Sequence, residues 1–334
     1  MIGLAKLAPG RGQLALAERP EREPGTGEAL IEVHGTGVCG SDLHIEADEY
    51  PSNPPMTLGH EVSGVVAAVG PGVDVDWLQA RVTCETFFST CGVCPACRDG
   101  RPNLCPERRS IGTHVDGGFA PKVIVPAHNL HRIPDWLDAH AAALCEPLAC
   151  VCQCMLDDVT VVPGDRVLVV GPGPMGLLAA QVARALGGDV VVSGLATDAA
   201  RLDVARTLGL TVVAANDEAA MAEFDVTVDA SGSASGIAAC LGAVRRGGRF
   251  VQIGIAGRPV DVPFDLLLLK EIEVSAGFAS TPRSWRRALG LVERRDVRLE
   301  PLVSEVAPLS AWERVFADLR ASRGMKIVLD PRVA

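Results

Sequence analysis

The stretch that decides the fold is DRVLVVGPGPMGLLAAQVARALGG, residues 165–188. It begins with a β-branched and aliphatic run that is typical of a buried strand, and it ends with small and aliphatic residues typical of a helix. Gly171, Gly173 and Gly176 lie between the two runs at the spacing G-x-G-x-x-G. A strand, a glycine turn and a helix in this order predict the first unit of a parallel sheet that binds a dinucleotide.

The glycine turn has the properties that a pyrophosphate site requires. Glycine permits a tight turn and a close approach of the backbone to the ligand, and the N-terminus of the following helix attracts an anion. Three glycines at an ordinary strand–helix turn are the alternative, but the flanking strand and helix favour the nucleotide site. We therefore expect the cofactor contacts of this loop to be Gly171, Gly173, Pro174, Met175 and Gly176.

Strands and helices continue to alternate after this stretch. Runs typical of strands occupy 189–194, 224–229 and 249–255, and helical runs lie between them. This alternation predicts an α/β fold with a doubly wound parallel sheet covered by helices. Ligands bind such sheets at the carboxyl ends of the strands, so we also expect Ser231, in DASGSASG at 229–236, and Gly254 to contact the cofactor.

The parts of the chain on either side of this region have a different sequence pattern. Residues 1–150 contain short β-rich runs that end at glycine and proline, which predicts an irregular, mostly β domain. From about residue 283 the alternation stops, and the pattern predicts two helices, the second with Ser310 as its N-cap, and a final strand. A chain of 334 residues is long enough for two domains.

The end of the second strand of the sheet indicates which nucleotide is bound. In such folds an acidic residue about twenty positions after the glycine turn binds the ribose hydroxyls of NAD. The corresponding positions here are Ser193 and Gly194, and the nearest acid, Asp198, follows later in the loop. Without a carboxylate a 2′-phosphate is not repelled, and Arg201 could pair with it, although an arginine that opens a helix is often simply solvated. We expect NADP or NAD, with a slight preference for NADP.

The strongest metal-binding pattern is STCGVCPACRDGRPNLCPE, residues 89–107. Cys91, Cys94, Cys97 and Cys105 have the spacing C-x2-C-x2-C-x7-C, with glycines and prolines for tight turns. Four thiolates close a tetrahedral cage and leave no position for substrate, which is typical of structural zinc. A disulfide pair, a redox motif and a nucleic-acid-binding knuckle are the alternatives. The odd total of eleven cysteines disfavours a complete set of disulfides, and the segment lacks the single C-x-x-C of a redox motif. Its small excess of positive charge disfavours nucleic-acid binding.

The composition limits the partners of the chain. A net charge of −10, with 48% hydrophobic and 22% charged residues, indicates a soluble globular protein and argues against nucleic-acid and anionic-membrane partners. No uncharged apolar run has the length of a membrane span, and the first residues lack the apolar core of a signal peptide. We therefore expect a cytoplasmic location, where clustered cysteines indicate metal binding rather than disulfides.

A second candidate metal site combines residues that are distant in the sequence. Cys39 lies in GVCGSDLH, His60 and Glu61 lie in TLGHEVSG, and Glu146 lies in CEPLAC. A thiolate, an imidazole and one carboxylate make a zinc site with an open fourth position. We expect one glutamate to bind the metal directly and the other to be held through water, or the two to exchange. By residue type alone, a buried cysteine, a hydrogen-bonded histidine and surface glutamates would be the simpler interpretation.

Taken together, GVCGSDLH, TLGHEVSGVVAAVG, the four-cysteine segment, EPLAC and the glycine-turn stretch resemble the zinc-dependent medium-chain alcohol dehydrogenases. The sorbitol (polyol) and threonine dehydrogenase branches are the most similar, over essentially the whole chain. The resemblance implies a GroES-like catalytic domain at 1–150 with a structural-zinc lobe at about 89–107, a Rossmann domain at 151–282, and a return to the catalytic domain at 283–334. It also implies one catalytic and one structural zinc ion per chain, and a homodimer or homotetramer.

The resemblance also implies roles for the second group of residues. Cys39, His60 and a glutamate would hold the catalytic zinc: in the polyol branch His60 and Glu61 form the ligand pair, and Glu146 matches the third protein position used elsewhere in the family. Ser41 matches the hydroxyl that contacts the reacting alcohol and begins proton release. His44 resembles the histidine that passes the proton outward. The corresponding structural interpretations are a helix cap or turn for the serine and a surface loop for the histidine.

The function that the resemblance implies is hydride transfer between NAD(P) and a small-molecule secondary alcohol or ketone, in a polyol, sugar, cyclitol or amino-alcohol. One departure concerns the substrate: Val306 stands where the polyol branch has a substrate-contacting arginine, and Glu305 lies beside it. Two other functions stay open. One is a zinc-stabilised nucleotide-binding protein without turnover, and the other is a zinc-independent quinone or enone reductase on the same fold.

Overall fold

The computed structural model describes residues 1–157, 160–217 and 223–333. The chain forms two compact units, one made of Met1–Glu146 with Val303–Ala334 and one made of Pro147–Leu302. The expected return of the chain at residue 283 thus falls later, at Val303. Thr281 Oγ1 donates a hydrogen bond to Asp157, and Arg287 forms an ion pair with the same carboxylate, so the helix that follows residue 281 is anchored within the second unit.

In the described residues the strands are β1 (Ile2–Lys6), β2 (Leu14–Glu18), β3 (Glu28–Gly37), β4 (Met56–Thr57), β5 (Glu61–Val69), β6 (Arg81–Cys84), β7 (Phe87–Ser89), β8 (Arg109–Ser110), β9 (Lys122–Pro126), β10 (Leu130–Arg132), β11 (Arg166–Val170), β12 (Asp189–Gly194), β13 (Thr211–Ala214), β14 (Phe224–Asp229), β15 (Val244–Gln252), β16 (Glu273–Ala276), β17 (Val303–Pro308) and β18 (Lys326–Asp330). The α-helices are α1 (Gly40–Glu46), α2 (Pro95–Arg98), α3 (Ala139–Ala142), α4 (Cys145–Leu156), α5 (Pro174–Ala185), α6 (Ala199–Thr207), α7 (Ala234–Ala243), α8 (Asp265–Leu269), α9 (Pro282–Glu293) and α10 (Trp312–Arg320).

In the first unit, one mixed sheet brings three distant segments of the chain together. Its strands have the order β10-β6-β5-β3-β18-β17, and β9 also pairs with β3. Along β3, buried residues such as Ile31 and Val33 alternate with more exposed ones because successive side chains point to opposite faces. Gly37 at the end of β3 pairs with Glu61 on β5 and with Val328 on β18. The end of β3, the start of β5 and β18 are therefore neighbours.

The second unit contains a six-stranded parallel sheet in the order β13-β12-β11-β14-β15-β16. The chain starts at the centre with β11, extends to one edge and then returns to build the other half, which is the doubly wound order. Leu168, Val170, Phe224 and Phe250 from these strands are buried in one core cluster. Burial on both faces explains why the strands are nearly continuous aliphatic runs rather than alternating ones. The predicted doubly wound parallel sheet is confirmed.

The last helix begins later than its sequence indicates. Ser310 lies inside a 3-10 turn, Leu309–Ala311, and α10 starts at Trp312 with Ala311 as its capping residue. The expected N-cap at Ser310 is therefore wrong. The helix is positioned by Phe316, which is buried and meets Trp312 edge to face at a centroid distance of 5.6 Å.

One helical segment of the described residues, Ala139–Leu156, has the length and apolarity of a membrane span, and 78% of it is buried inside the protein. It comprises α3 and α4 and includes the charged residue Glu146. This burial is typical of a core helix.

Candidate functional site

The four cysteines of the predicted closed site lie together. The sulfur atoms of Cys91, Cys94, Cys97 and Cys105 are all within 4.8 Å of one another. Gly92 has a φ of 71°, a left-handed conformation that lets the chain turn sharply between the first two cysteines. The short helix α2 then carries Cys97 back toward them.

This group fits a zinc ion. The sulfur atoms of Cys91 and Cys105 are 3.6 Å apart, close to the edge of about 3.8 Å in a tetrahedron with Zn–S bonds of 2.3 Å. Backbone N–H groups already solvate the sulfurs: Cys94 donates to Cys91 at 3.3 Å, and Cys97 donates to Cys94 at 3.5 Å. Hydrogen bonds from the backbone of Val93 and Cys94 lower the pKa of the Cys91 thiol to about 7. A thiolate, the form that binds metal, is therefore accessible near neutral pH.

Three of the four candidate ligands of the open zinc site lie together, and Glu146 is the exception. One ligand atom each from Cys39, His60 and Glu61 lies within 4.8 Å of the other two. Cys39 immediately precedes α1, and Glu61 is the first residue of β5. Glu146 is buried in the first turn of α4, and among the described residues it does not belong to this group. The structure thus brings Glu61, rather than Glu146, to the cysteine and the histidine.

The imidazole of His60 lies between two polar groups. Its Nδ1 atom is 3.7 Å from Asp42 Oδ1, and its Nε2 atom is 3.5 Å from Ser41 Oγ. Nδ1 and Asp42 Oδ1 are both buried and make no hydrogen bond. Burial opposes protonation of His60, but the Asp42 carboxylate and Cys39 outweigh it and raise the pKa of His60 well above its usual value. A carboxylate behind one ring nitrogen is the arrangement that orients a metal-binding histidine, so these residues fit a zinc ion.

A buried lysine that the sequence did not single out lies beside this group. Lys326, the first residue of β18, donates from Nζ to Glu61 Oε1 at 2.7 Å, to Glu61 Oε2 at 2.8 Å and to the Val38 carbonyl at 3.2 Å. Burial opposes the charge, but Glu61 and Cys39 outweigh it and raise the pKa of Lys326 above its usual value. Lys326 is therefore protonated, and with Glu61 it forms a buried ion pair.

The two candidates for proton transfer lie on α1. Ser41 faces His60, and His44 lies one turn later with a half-exposed ring whose Nδ1 is 2.8 Å from Glu49 Oε2. Residues three apart on a helix share a face, so this pair leads from His60 toward the surface. Ser41 is not the N-cap of α1, because the helix begins at Gly40 and Cys39 occupies the cap position.

The glycine turn between β11 and α5 is tightly packed at two positions and open at the third. Gly171 has a φ of 101°, and a Cβ there would lie 2.9 Å from a backbone nitrogen of the loop after β14. A Cβ at Gly176 would lie 1.9 Å from the Gly171 carbonyl oxygen, whereas a Cβ at Gly173 would meet nothing within 4 Å. Pro174 and Met175 form the first turn of α5. The turn thus requires two glycines for its own packing and leaves the backbone at the third accessible to a phosphate.

The packing at the end of β12 explains why no acid stands at the expected ribose-binding position. A Cβ at Gly194 would lie 2.8 Å from Pro172 Cγ, so a longer side chain would displace the glycine turn. Asp198 turns back on its own loop, where Oδ2 accepts a backbone N–H at 3.0 Å and Oδ1 is 3.9 Å from Arg201. Ser193 is buried, and its Oγ makes no hydrogen bond.

A buried aspartate at the end of β14 holds the loop that follows this strand. Asp229 accepts hydrogen bonds from Ser231 Oγ at 2.6 Å, from the Gly232 N–H at 3.1 Å and from Gln252 Nε2 at 2.6 Å. The Gly254 N–H donates to the Asp229 carbonyl at 2.9 Å. These bonds bring Ser231 and Gly254 to the carboxyl edge of the sheet. In the sequence, Asp229 could have been found as the polar residue that ends a buried parallel strand, the place where such sheets bind ligands.

Two family models match the chain. The alcohol dehydrogenase GroES-like domain matches residues 25–135, and the zinc-binding dehydrogenase model matches residues 174–294. A sorbitol dehydrogenase of Halalkalibacterium halodurans is 36% identical over 99% of both chains, and a D-arabitol-phosphate dehydrogenase of Enterococcus avium is 34% identical over 99% of this chain and 97% of the relative. A crystal structure from Sinorhizobium meliloti, described as a zinc-binding dehydrogenase bound to NADP, has a TM-score of 0.90 and 30% identity over 99% of both chains.

The chain therefore belongs to the zinc-dependent medium-chain alcohol dehydrogenase superfamily, in the branch of the polyol and threonine dehydrogenases. The predicted combination of a GroES-like domain and a Rossmann domain is confirmed. The protein is a zinc-dependent, NAD(P)-dependent oxidoreductase of the alcohol dehydrogenase type.

Proposed function

We propose that the protein interconverts a secondary alcohol of a polyol or sugar and the corresponding ketone, at a zinc site formed by Cys39, His60 and Glu61. The convergence of these three ligands, with Asp42 behind the imidazole, is the observation that carries the proposal. Zinc held there would act as a Lewis acid that makes the substrate hydroxyl more acidic, while the nicotinamide cofactor would accept the hydride. Three protein ligands leave room for one substrate oxygen.

The protein's own residues would move the hydroxyl proton. Ser41 is the proposed first acceptor, because its Oγ lies beside His60 at the edge of the ligand group. His44 would deliver the proton to solvent, since its ring is half-exposed and an imidazole nitrogen can both accept and donate a proton. Glu49 Oε2 lies 2.8 Å from its Nδ1, a contact that would orient the ring.

The four-cysteine lobe is proposed to hold a second zinc ion without a part in the reaction. Its four sulfur atoms already form a complete ligand set, so neither water nor substrate can enter. Two zinc ions per chain follow from this division between a closed and an open site.

Neutral hydroxylated substrates fit the chain better than amino-alcohols. The carboxylate of Glu305 forms an ion pair with Arg314, so it does not offer an isolated negative charge to an ammonium group. Val306 is exposed and apolar at the place where the polyol branch has a substrate-contacting arginine. The name of the sorbitol dehydrogenase relative supports a neutral polyol or sugar, and that of the arabitol-phosphate dehydrogenase supports a polyol chain.

NADP is the proposed cofactor, with NAD as the second candidate. An acidic side chain at Gly194 is disfavoured by Pro172, and Asp198 is already engaged by its own loop and lies near Arg201. The cofactor-binding surface would comprise the glycine turn, the end of β12 and the loop held by Asp229. The NADP bound to the Sinorhizobium meliloti relative is consistent with this choice.

A screen of polyols, sugars, cyclitols and amino-alcohols with both nucleotides tests the proposed function. We expect reduction of the nicotinamide with at least one neutral polyol or sugar, and a lower KM for NADP than for NAD. A zinc-loaded protein that binds nucleotide but turns over none of these would favour the non-catalytic alternative. Activity that survives removal of zinc from the open site would favour the quinone or enone reductase.

We also propose that two copies of the chain associate along β16, in a homodimer or a homotetramer. β16 forms the edge of the parallel sheet, and Val274 on this strand is 53% exposed. Further exposed apolar residues lie near it in the sequence: Phe264, Leu268, Leu269 and Phe278. An open edge with apolar side chains can be covered by a second strand, which a single chain does not supply. Light scattering should give at least a dimer, and Val274→Lys should shift it toward the monomer; a monomeric wild-type protein would contradict the proposal.

The proposed location is the cytoplasm, with no nucleic-acid or membrane partner. All eleven cysteines lie in the described residues and none forms a disulfide, as is usual in a reducing compartment. The net charge of −10 does not favour polyanions. Recovery of the protein in the membrane fraction of its host would contradict this assignment.

A further inference from the structure

Lys326, which forms an ion pair with Glu61 beside the open site, has no part in the proposed mechanism. Both side chains are buried, and Nζ binds both carboxylate oxygens, at 2.7 and 2.8 Å. A buried ion pair is costly to form and is therefore weak evidence for a purely stabilising role. This pair includes a candidate metal ligand, which suggests a role at the metal.

We propose that Lys326 is a positioning residue that limits how Glu61 coordinates the zinc ion and sets the net charge of the open site. The inference rests on the proposed zinc site at Cys39 and His60. While Nζ binds both oxygens of Glu61, that carboxylate cannot turn both of them toward a metal ion. Glu61 is thereby restricted to a loose or one-oxygen contact, and the metal keeps a position for substrate.

Three strands fix this arrangement. Gly37 on β3 pairs with Glu61 on β5 and with Val328 on β18, two residues beyond Lys326. A Cβ at Gly37 would lie 2.0 Å from Glu61 Oε2, so this glycine leaves the space that the carboxylate occupies. Nζ is also held by the Val38 carbonyl, at 3.2 Å. The lysine is therefore anchored by backbone pairing and by a second acceptor, not by Glu61 alone.

The charges around the site give the second argument. A zinc ion with the Cys39 thiolate and the carboxylates of Glu61 and Asp42 nearby would carry one excess negative charge. Glu146, whose charge also acts on Lys326, would add a second. The lysine offsets one of these charges. A less anionic site keeps the metal a stronger Lewis acid.

The experiment is Lys326→Met, examined by chelator competition and by the visible spectrum of the cobalt-substituted protein. Loss of the positive charge frees Glu61 to bind the metal, so we expect metal affinity at the open site to rise by about tenfold to a hundredfold, a change as large as the loss that usually follows mutation of a residue behind a metal ligand but opposite in sign. The cobalt spectrum should shift as the carboxylate becomes a full ligand. A merely structural lysine predicts the opposite, because disorder at the site would release metal more easily.

Two controls separate the charge from the fold. Lys326→Arg keeps the positive charge and a bidentate contact with the Glu61 carboxylate, so the metal affinity of this variant should stay close to the wild-type value. In a Glu61→Gln background, Lys326→Met should change the cobalt spectrum little, because the Glu61 carboxylate that the lysine would release is no longer present. This double-mutant cycle isolates the interaction between Lys326 and Glu61. If Lys326→Met does not fold, Lys326→Gln keeps a donor without the charge and has the same expected gain in affinity.

The outcomes distinguish this inference from the proposed function. A wild-type protein with two metal ions, one of which is lost in Cys39→Ser, supports the open site itself. If that result holds but Lys326→Met or Lys326→Gln leaves chelator competition and the cobalt spectrum unchanged, only the role of Lys326 is overturned. If the wild-type protein holds a single metal ion that Cys39→Ser does not remove, the proposed site fails first.

Discussion

Cys39→Ser should lower kcat/KM by about a thousandfold or more, because a metal-ion Lewis acid supplies several kcal/mol of the barrier reduction in reactions of this type. The cysteine is the single thiol of the group with His60 and Glu61, and serine does not replace it as a zinc ligand. The zinc content should fall from two ions per chain to one. Thermal unfolding should change little, because the backbone at this position keeps its hydrogen bond to Asp42.

Cys152→Ala is the matched control for this variant. Its thiol lies on α4 outside both cysteine-containing groups, and burial raises its pKa far above the usual range, so it is inert as a metal ligand. We expect it to keep two zinc ions and its activity, even if the smaller side chain costs some stability. Full activity in Cys39→Ser, or a loss of zinc in Cys152→Ala, would show that the open site was assigned to the wrong residues.

Features carried by nearby residues could be predicted from the sequence. The parallel sheet follows from the alternation of aliphatic strands with helices, and the glycine turn follows from one G-x-G-x-x-G in the expected place. The four-cysteine group needs only fifteen residues of chain, 91–105, and its turns are encoded by adjacent glycines and prolines. In each of these cases the residues that matter are neighbours in the chain.

Features that depend on strand pairing could not be predicted. Lys326 meets Glu61 because β18 lies beside β3, which in turn pairs with β5, and nothing in MKIVLDP distinguishes a buried lysine from an exposed one. The sequence also left open whether Glu61 or Glu146 binds the metal directly, since only their three-dimensional placement separates them. The absence of an acidic residue at Gly194 has a similar origin, because it depends on the close packing of this position against Pro172.

Cys94→Ser should act on stability before it acts on chemistry. Cys94 is one of four sulfur atoms within 4.8 Å of one another, and losing one opens the cage to water. Because metal binding at such a site is coupled to folding, we expect a loss of at least about 2 kcal/mol in the free energy of unfolding. For a unit of this size that corresponds to a fall of about 4 to 8 °C in Tm, measured by thermal unfolding.

The zinc-depleted wild-type protein and a neighbouring variant complete this test. Chelation of the closed site should lower the wild-type Tm toward that of Cys94→Ser, while Cys94→Ser itself should no longer respond to the chelator at that site. Val93→Ala, at an exposed position in the same loop, should retain the wild-type Tm and two zinc ions because its side chain contributes little packing. Below its unfolding temperature, Cys94→Ser should keep most of its kcat, since the open site retains Cys39, His60 and Glu61. An unchanged Tm combined with lost turnover would reverse the roles of the two sites and make the four-cysteine group the catalytic one.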